Sequence, residues 1–404
     1  MNKKISLGLT LALIFLSITA TAAITMSLSM RTYNSLIKDL PNRTQMYSFL
    51  SEIDDVVRTN YYGEINKNLL NSDLSQGYTK GLGDRFSYYM TAKEFETYQN
   101  EMNGQKIGIG IISVFNTEDT AIYVAEVSEN SPAHLSGLQK GDKITAIDNE
   151  KVTAYNYEAL TKKLTGEKLS TVAITYQRDN VEATVNVVKG YTAQTVYHSL
   201  NGTVGYIKIT DFYSTTASQL DNAVKALTKQ GAASLIFDVR NNASGSIENA
   251  AKAIDVLVPV ASEGTKAIAT AVDKAGKPIE TFTSDADSVN VPMAVLINGN
   301  TSGAAELFSC DLRDFGKARL IGEKTAGNGT MQQAFRLSDG SAIMLTVAEI
   351  KPYTSASYNT VGLNPNEEVV LTKEQNNKLA LLPLADDAQY QKANTVLSGN
   401  NNNG

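Results

Sequence analysis

The chain has 404 residues, 42% of them hydrophobic and 19% charged, with a formal net charge of −6. That length holds two or three ordinary domains, and the composition is globular rather than disordered. Mild acidity without a Lys/Arg-rich run argues against a nucleic-acid partner, and a single cysteine (Cys310) with two histidines (His134, His198) argues against an internal disulfide or a zinc cluster.

Residues 5–30 carry no charge, with Lys3 and Lys4 before them and Arg31 after. A helix over that stretch reaches roughly 39 Å at 1.5 Å per residue, more than the ~30 Å hydrocarbon layer. This predicts an uncleaved amino-terminal anchor with the lysines inside. The alternative is a cleaved signal, because Ala20-Thr21-Ala22 resembles a cleavage site. Either way the bulk of the chain is expected outside the cytoplasm.

From residue 40 to 103 the pattern is mostly helical, a cap or lid, with Leu50, Ile53 and Val57 on one predicted face. From 104 to 190 it changes to short strands and turns. Gly108, Ile109, Gly110 and Ile111 pair glycines with β-branched residues, which suits a strand whose preceding loop exposes backbone N–H groups. A one-turn helix at 131–138 and a second at 157–164, with Leu160 and Leu164 inward, complete an order that resembles a PDZ domain. In that family an added peptide strand lies beside the second helix and its terminal carboxylate sits in the glycine loop. The resemblance therefore implies a peptide site at Gly108, Ile109, Gly110, Ile111, Leu160 and Leu164. His134 falls in the short helix, where a surface or packing role is expected.

Strands and helices alternate from 191 to 372: strand 204–210, helix 214–229, strand 234–239, helix 247–257, strand 293–297, a small-residue turn, and a helix from Ala304 to about Asp314. A strand at 318–321, a glycine loop at 325–329 and a hairpin turning at Asp339-Gly340 follow. This predicts an α/β sheet with a partly antiparallel edge. Cys310 falls on the 304–314 helix as a small buried hydrophobe. Residues 373–404 read as a polar, weakly helical tail, frayed at its Asn-rich end.

The whole from about residue 45 to 371 resembles the carboxyl-terminal processing (tail-specific) serine peptidases. The echoes are Gly205-Tyr206-Ile207-Lys208-Ile209, Asp238-Val239-Arg240-Asn241-Asn242, Gly322-Glu323-Lys324-Thr325, Leu337-Ser338-Asp339-Gly340-Ser341 and Gly362-Leu363-Asn364-Pro365. The resemblance implies a multidomain α/β fold: a ClpP/crotonase-like core, an inserted β-rich PDZ domain and an amino-terminal helical segment. It also implies a Ser–Lys dyad, in which a helix-start Ser attacks the peptide carbonyl and a desolvated Lys takes its proton. A Gln orients that Lys, and backbone N–H groups hold the oxyanion.

Carried onto this chain, the nucleophile turn is Thr301-Ser302-Gly303-Ala304-Ala305-Glu306, so the nucleophile position is Gly303. The base loop is Gly327-Asn328-Gly329-Thr330-Met331-Gln332, so the base position is Asn328 while the orienting Gln332 is kept. The oxyanion region becomes Asn242-Ala243-Ser244-Gly245, with Ser244, Gly245 and Ala304 as its members. Glycine has no side chain to attack with, and asparagine has no titratable proton acceptor. The expectation is an inactive homologue that binds or scaffolds peptide tails from a membrane anchor on the extracytoplasmic face of a bacterial-type membrane. The alternative is an active serine endopeptidase cleaving near the C-termini of exported proteins with a displaced Ser302/Lys324 pair. Expected partners are peptide or protein C-termini and the membrane; a homo-oligomer, or a hetero-oligomer with an active peptidase, stays open. No cofactor or metal is implied.

Overall fold

The computed structural model describes residues 15–27, 29–30, 40–192, 194–258, 266–284 and 289–400, in two units, Met1–Asn71 and Ser72–Gly404. In the first, residues 15–27 and 29–30 are helical and a second helix spans Leu40–Asn60. Leu50, Ile53 and Val57 lie on it as expected, and all three are exposed. No helix among the described residues is long and apolar enough to cross a membrane. Of the uncharged stretch 5–30 on which the anchor was expected, residues 5–14 and 28 lie outside the described residues.

A third helix spans Lys67–Lys80. After it, the stretch expected to be a helical cap contributes a strand as well. Tyr88–Met90 pairs antiparallel with Ala342–Pro352, and the helix Ala92–Met102 follows from a Thr91 capping box.

The PDZ-like region is a sheet ordered Ile111–Asn116, Ala121–Val127, Lys143–Ile147, Thr171–Arg178, Val181–Val188, with helices Pro132–Leu135 and Tyr157–Lys162. Ile107–Gly108 pairs with Tyr191–Thr192, tying the end of the region back to its start. Its core gathers Ile109, Ile122, Val124, Ile144, Leu160, Leu164 and Ile174. Arg178 closes a bidentate pair on the buried Asp142, at 2.6 and 2.7 Å.

The peptidase-like core is a sheet ordered Val196–Asn201, Val204–Ile209, Ser234–Asp238, Met293–Ile297, Ala318–Gly322, Glu367–Glu368. The first pair is antiparallel and the rest are parallel. Its central strands are uninterrupted apolar runs because both faces are covered. Leu235, Phe237, Met293, Val295 and Ile297 face helices Thr216–Lys229, Ile247–Asp255 and Ala304–Asp314. Ile236, Ala294 and Leu296 face the other way, onto Tyr390, Ala393 and Leu397 of the helix Ala388–Asn400.

That last helix corrects the expectation of a polar, weakly helical tail after residue 373. Its apolar side chains at i, i+3 and i+7 cover a whole sheet face, and Arg240 anchors its start through Asp387 at 2.7 Å and Gln389 at 2.9 Å. Fraying was expected over residues 399–404; Gly399 and Asn400 close this helix, and residues 401–404 lie outside the described residues. The hairpin expected at the edge of the parallel sheet is also placed differently. Thr330–Arg336 and Ala342–Pro352 join Tyr88–Met90, Lys266–Val272 and Pro278–Ser284 in a separate five-stranded antiparallel sheet.

Candidate active site

The turn after Met293–Ile297 is built from side chains that replace the missing ladder. Thr301 Oγ1 donates to the Val239 carbonyl at 3.0 Å, and Asn298 and Asn241 exchange amide bonds at 2.9 and 3.0 Å. The turn delivers Gly303 to the N-cap of Ala304–Asp314 at φ 62°, ψ −113°, a backbone conformation costly for any residue with a Cβ.

Glu306, one turn into the helix, is fully buried and binds two segments together. It accepts the N–H of Gly303 at 3.0 Å, of Gly327 at 2.8 Å and of Asn328 at 2.7 Å, and the hydroxyl of Thr325. The helix start and the glycine loop 325–329 are thus held together by one carboxylate.

The result is close contact between the two positions singled out in the sequence. A Cβ built on Gly303 stands 3.3 Å from Asn328 Nδ2. Asn328 Oδ1 accepts from the Thr330 hydroxyl at 2.7 Å, and Thr330 in turn accepts from Gln332 Nε2 at 2.7 Å. Gln332 therefore orients Asn328 through Thr330, leaving Nδ2 on the Gly303 side.

Gly245 has φ 112°, and a Cβ there would lie 2.3 Å from the Phe212 carbonyl oxygen, so only glycine fits. The bonds from Phe212 N to Ser244 O and from Ser246 N to Phe212 O fix this loop. Ser244 spends its own N–H on Asn242 Oδ1 at 3.2 Å, and its hydroxyl meets the Tyr213 hydroxyl at 3.1 Å. Burial, followed by the charge of Asp211, pushes the Tyr213 phenol far above its ordinary range. Among the described residues no protein acceptor meets the N–H of Gly245 or of Ala304. Ser244, Gly245, Ser302, Gly303, Ala304, Asn328 and Gln332 all line one cleft of about 370 Å³.

That cleft has walls that sequence reasoning missed. Phe86, Tyr98, Met102 and Met344 line it, brought there by the Tyr88–Met90 strand pairing and the helix Ala92–Met102. The capping box Thr91-x-x-Glu94 was the local signal for that helix; nothing local marked its destination.

The displaced pair is not assembled. Ser302 is half-buried and lines the cleft, but Lys324 is exposed and does not, and no hydrogen bond joins them among the described residues. Cys310 is fully buried, and burial first, then Asp314 and Asp311, push its thiol up to about 12. Its Sγ lies within 4.8 Å of carboxylate oxygens of Asp311 and Asp314. The Arg313 guanidinium already sits 3.4 Å from that sulfur, and Ser355 and Thr354 saturate Asp314. His134 and His198 are both exposed and neither lines the cleft.

In the PDZ-like region Gly110 has φ 86°, and a Cβ would lie 2.2 Å from that of Ser131. The Ile109 and Gly110 carbonyls are taken by Ala133 N and Ser128 N, both at 2.9 Å. Gly108, Ile109, Gly110, Ile111 and Leu164 line a groove of about 220 Å³ with Lys106, Thr161 and Tyr213. Leu160, expected on this wall, does not line it; it points into the core, fully buried. Farther along, Phe115 of the strand and Tyr157 of the helix stack with ring centroids 4.0 Å apart.

A strand, a taut glycine turn and a helix start, lining one cleft with two N–H groups that meet no acceptor among the described residues, are the parts of an acyl-transfer scaffold. Residues 203–369 match Peptidase family S41, and residues 106–188 match the PDZ domain family. The chain is 25% identical over 348 residues to a CtpA-like serine protease of Staphylococcus haemolyticus (strain JCSC1435), covering 83% of this chain and 68% of the relative. It is 26% identical over 348 residues to a CtpA-like serine protease of Staphylococcus epidermidis (strain ATCC 12228 / FDA PCI 1200), covering 85% and 69%. The fold matches the solved structure of an S41 protease from Bacteroides fragilis NCTC 9343 with a TM-score of 0.55 at 17% identity, over 84% of this chain and 91% of that one. Residues 203–369 thus form a peptidase family S41 region and residues 106–188 a PDZ domain, and the chain is similar to the CtpA-like serine proteases, as its motifs led one to expect.

Proposed function

We propose that this protein is a non-hydrolytic member of its family that binds the C-terminal segments of peptides or proteins through its PDZ groove. One observation carries the reading. At the two positions where the family resemblance puts an attacking hydroxyl and a proton-accepting amine, the cleft holds Gly303 and Asn328, in contact range of each other. The scaffold around them is kept: Glu306 clamps the two segments, Gln332 still points toward the base position, and the N–H groups of Gly245 and Ala304 remain unspent. An uncharged amide cannot take a proton from a hydroxyl near neutral pH, so the nearby Ser302 has no base. The uncharged run 5–30 behind Lys3 and Lys4 supports export with tethering at the membrane.

The test incubates the full chain with β-casein, an unfolded protein, and with a peptide ending in apolar residues. The expected result is intact substrate by mass spectrometry together with peptide binding. Cleavage that disappears in Ser302→Ala would establish instead an active endopeptidase with a displaced nucleophile.

A further inference from the structure

We propose that the emptied cleft is itself a receptor for a peptide's terminal carboxylate, a second site distinct from the PDZ groove. This rests on the cleft being non-hydrolytic, and it assigns that cleft a ligand.

The argument starts from unmatched donors. The N–H groups of Gly245 and Ala304 have no acceptor among the described residues, and both residues line the cleft. The second of these begins an 11-residue helix, whose dipole favours negative charge there. Independently, Asn328 is only 6% exposed, its Oδ1 is occupied by Thr330, and its Nδ2 has no acceptor among the described residues. That amide faces Gly303, where the family's hydroxyl would stand, 3.3 Å from the position of a Cβ. Donors that line an open cleft are met by water until a ligand displaces it, so three of them around one space favour a ligand rich in acceptors.

The count of acceptors selects the ligand. A peptide carbonyl offers one oxygen, enough for the N–H groups of Gly245 and Ala304 but not for Asn328. A carboxylate offers two oxygens and about four lone-pair sites. One oxygen takes the two backbone N–H groups; the other occupies the room left by the missing side chain and accepts from Asn328 Nδ2. The carboxylates nearby are already engaged: Glu306 by its four donors, and Glu101 by Lys106 at 3.0 Å. Arg85 on the rim adds positive charge, and Tyr98, Met102 and Met344 give the ligand's last side chains an apolar wall. The bound state resembles the product end of a cleaved chain, held and not released.

Two variants address the site. Asn328→Asp keeps the shape but replaces the donor with an acceptor and a like charge. Gly303→Ala fills the vacated room. The full chain is titrated with fluorescein-labelled Ala-Ala-Leu-Ala-Ala as free acid and as amide, with circular dichroism confirming that each variant folds. Two binding events are expected for the free acid. One of them weakens at least about tenfold in either variant and on amidation, which is the loss of one charge-assisted hydrogen bond. That event persists in Gly110→Val, which disables the PDZ loop. If free-acid binding matches wild type in both cleft variants and vanishes in Gly110→Val, the cleft receptor is overturned while the PDZ reading stands. Cleft binding that ignores amidation overturns the carboxylate assignment. No binding by the wild type overturns both.

Discussion

Gly303 and Asn328 come from segments twenty-five positions apart in the chain, yet a Cβ on the first would stand 3.3 Å from the amide nitrogen of the second. On the reading proposed above, this proximity keeps the geometry of a nucleophile and its base without the groups that would perform the chemistry.

Restoring those groups should therefore restore turnover. In Gly303→Ser/Asn328→Lys the Gln332–Thr330 relay is available to orient the new amine, and the Gly245 and Ala304 N–H groups are free to hold an oxyanion. The double variant is expected to cleave β-casein at least about tenfold faster than either single variant, because a nucleophile and its base act as a unit. Gly303→Ser alone should cost roughly 1–3 kcal/mol in a denaturant titration, the strain of a side chain at φ 62°. A double variant no faster than the singles would place the defect in the loop at Ser244.

Glu306 is expected to matter for stability whether or not the protein turns anything over. Glu306→Ala strands the N–H groups of Gly303, Gly327 and Asn328 and the Thr325 hydroxyl inside the protein. Removing a buried group that serves several donors should cost about 3–5 kcal/mol, read as a lower denaturant midpoint at unchanged slope. A loss below about 1 kcal/mol would show that water reaches these donors and that the clamp is not sealed.

How legible this was depended on distance along the chain. The nucleophile turn, the base loop and the PDZ order are local patterns, so Gly303, Asn328 and Gly110 could be placed from their neighbours alone. The role of Glu306 could not: its partners lie both beside it and in the 325–328 loop. Tyr98, Met102 and Met344 reach the cleft through a sheet that joins residues 88–90 to 342–352. The helix Ala388–Asn400 did carry a signal, Tyr390, Ala393 and Leu397 at helical spacing, but Gln and Asn neighbours diluted it into an apparent polar tail. Leu160 followed the right period but faces the PDZ core rather than the groove, a choice that helical spacing alone cannot make.

The buried network under that last helix predicts how the protein fails in acid. Burial alone would raise the Asp238 carboxyl; the charge and hydrogen bonds of Arg240, 2.6 Å away, outweigh it and hold the group at about 2. A carboxylate depressed in the fold contributes stability above its unfolded pKa of about 3.9 and loses it as pH falls through the folded value. The expected contribution is about 2 kcal/mol, fully present at neutral pH and lost between about pH 4 and 2. Asp238→Asn should flatten the stability profile over that window. Arg240→Met should in addition free the segment that begins at Asp387 and Gln389, seen as faster amide exchange in Ala388–Asn400. An unchanged acid profile in Asp238→Asn would contradict the assignment.

Tyr213 links the PDZ groove to the lining of the cleft. Its side chain lines the groove, while its hydroxyl lies 3.1 Å from Ser244 Oγ, beside the glycine that offers one of the two free N–H groups. Glu101 and Lys106 make a second link, one lining the cleft and the other the groove, joined at 3.0 Å. The Tyr213–Ser244 bond is part-buried, so its loss should be measurable. A double-mutant cycle of Tyr213→Phe and Ser244→Ala is expected to give a coupling of about 1 kcal/mol in stability, with both single variants costing nearly what the pair costs. Peptide affinity at the PDZ groove, measured on the same four proteins, should show coupling of the same sign if the groove reports on the loop. Strict additivity in both measurements would mean that the two sites are neighbours and nothing more.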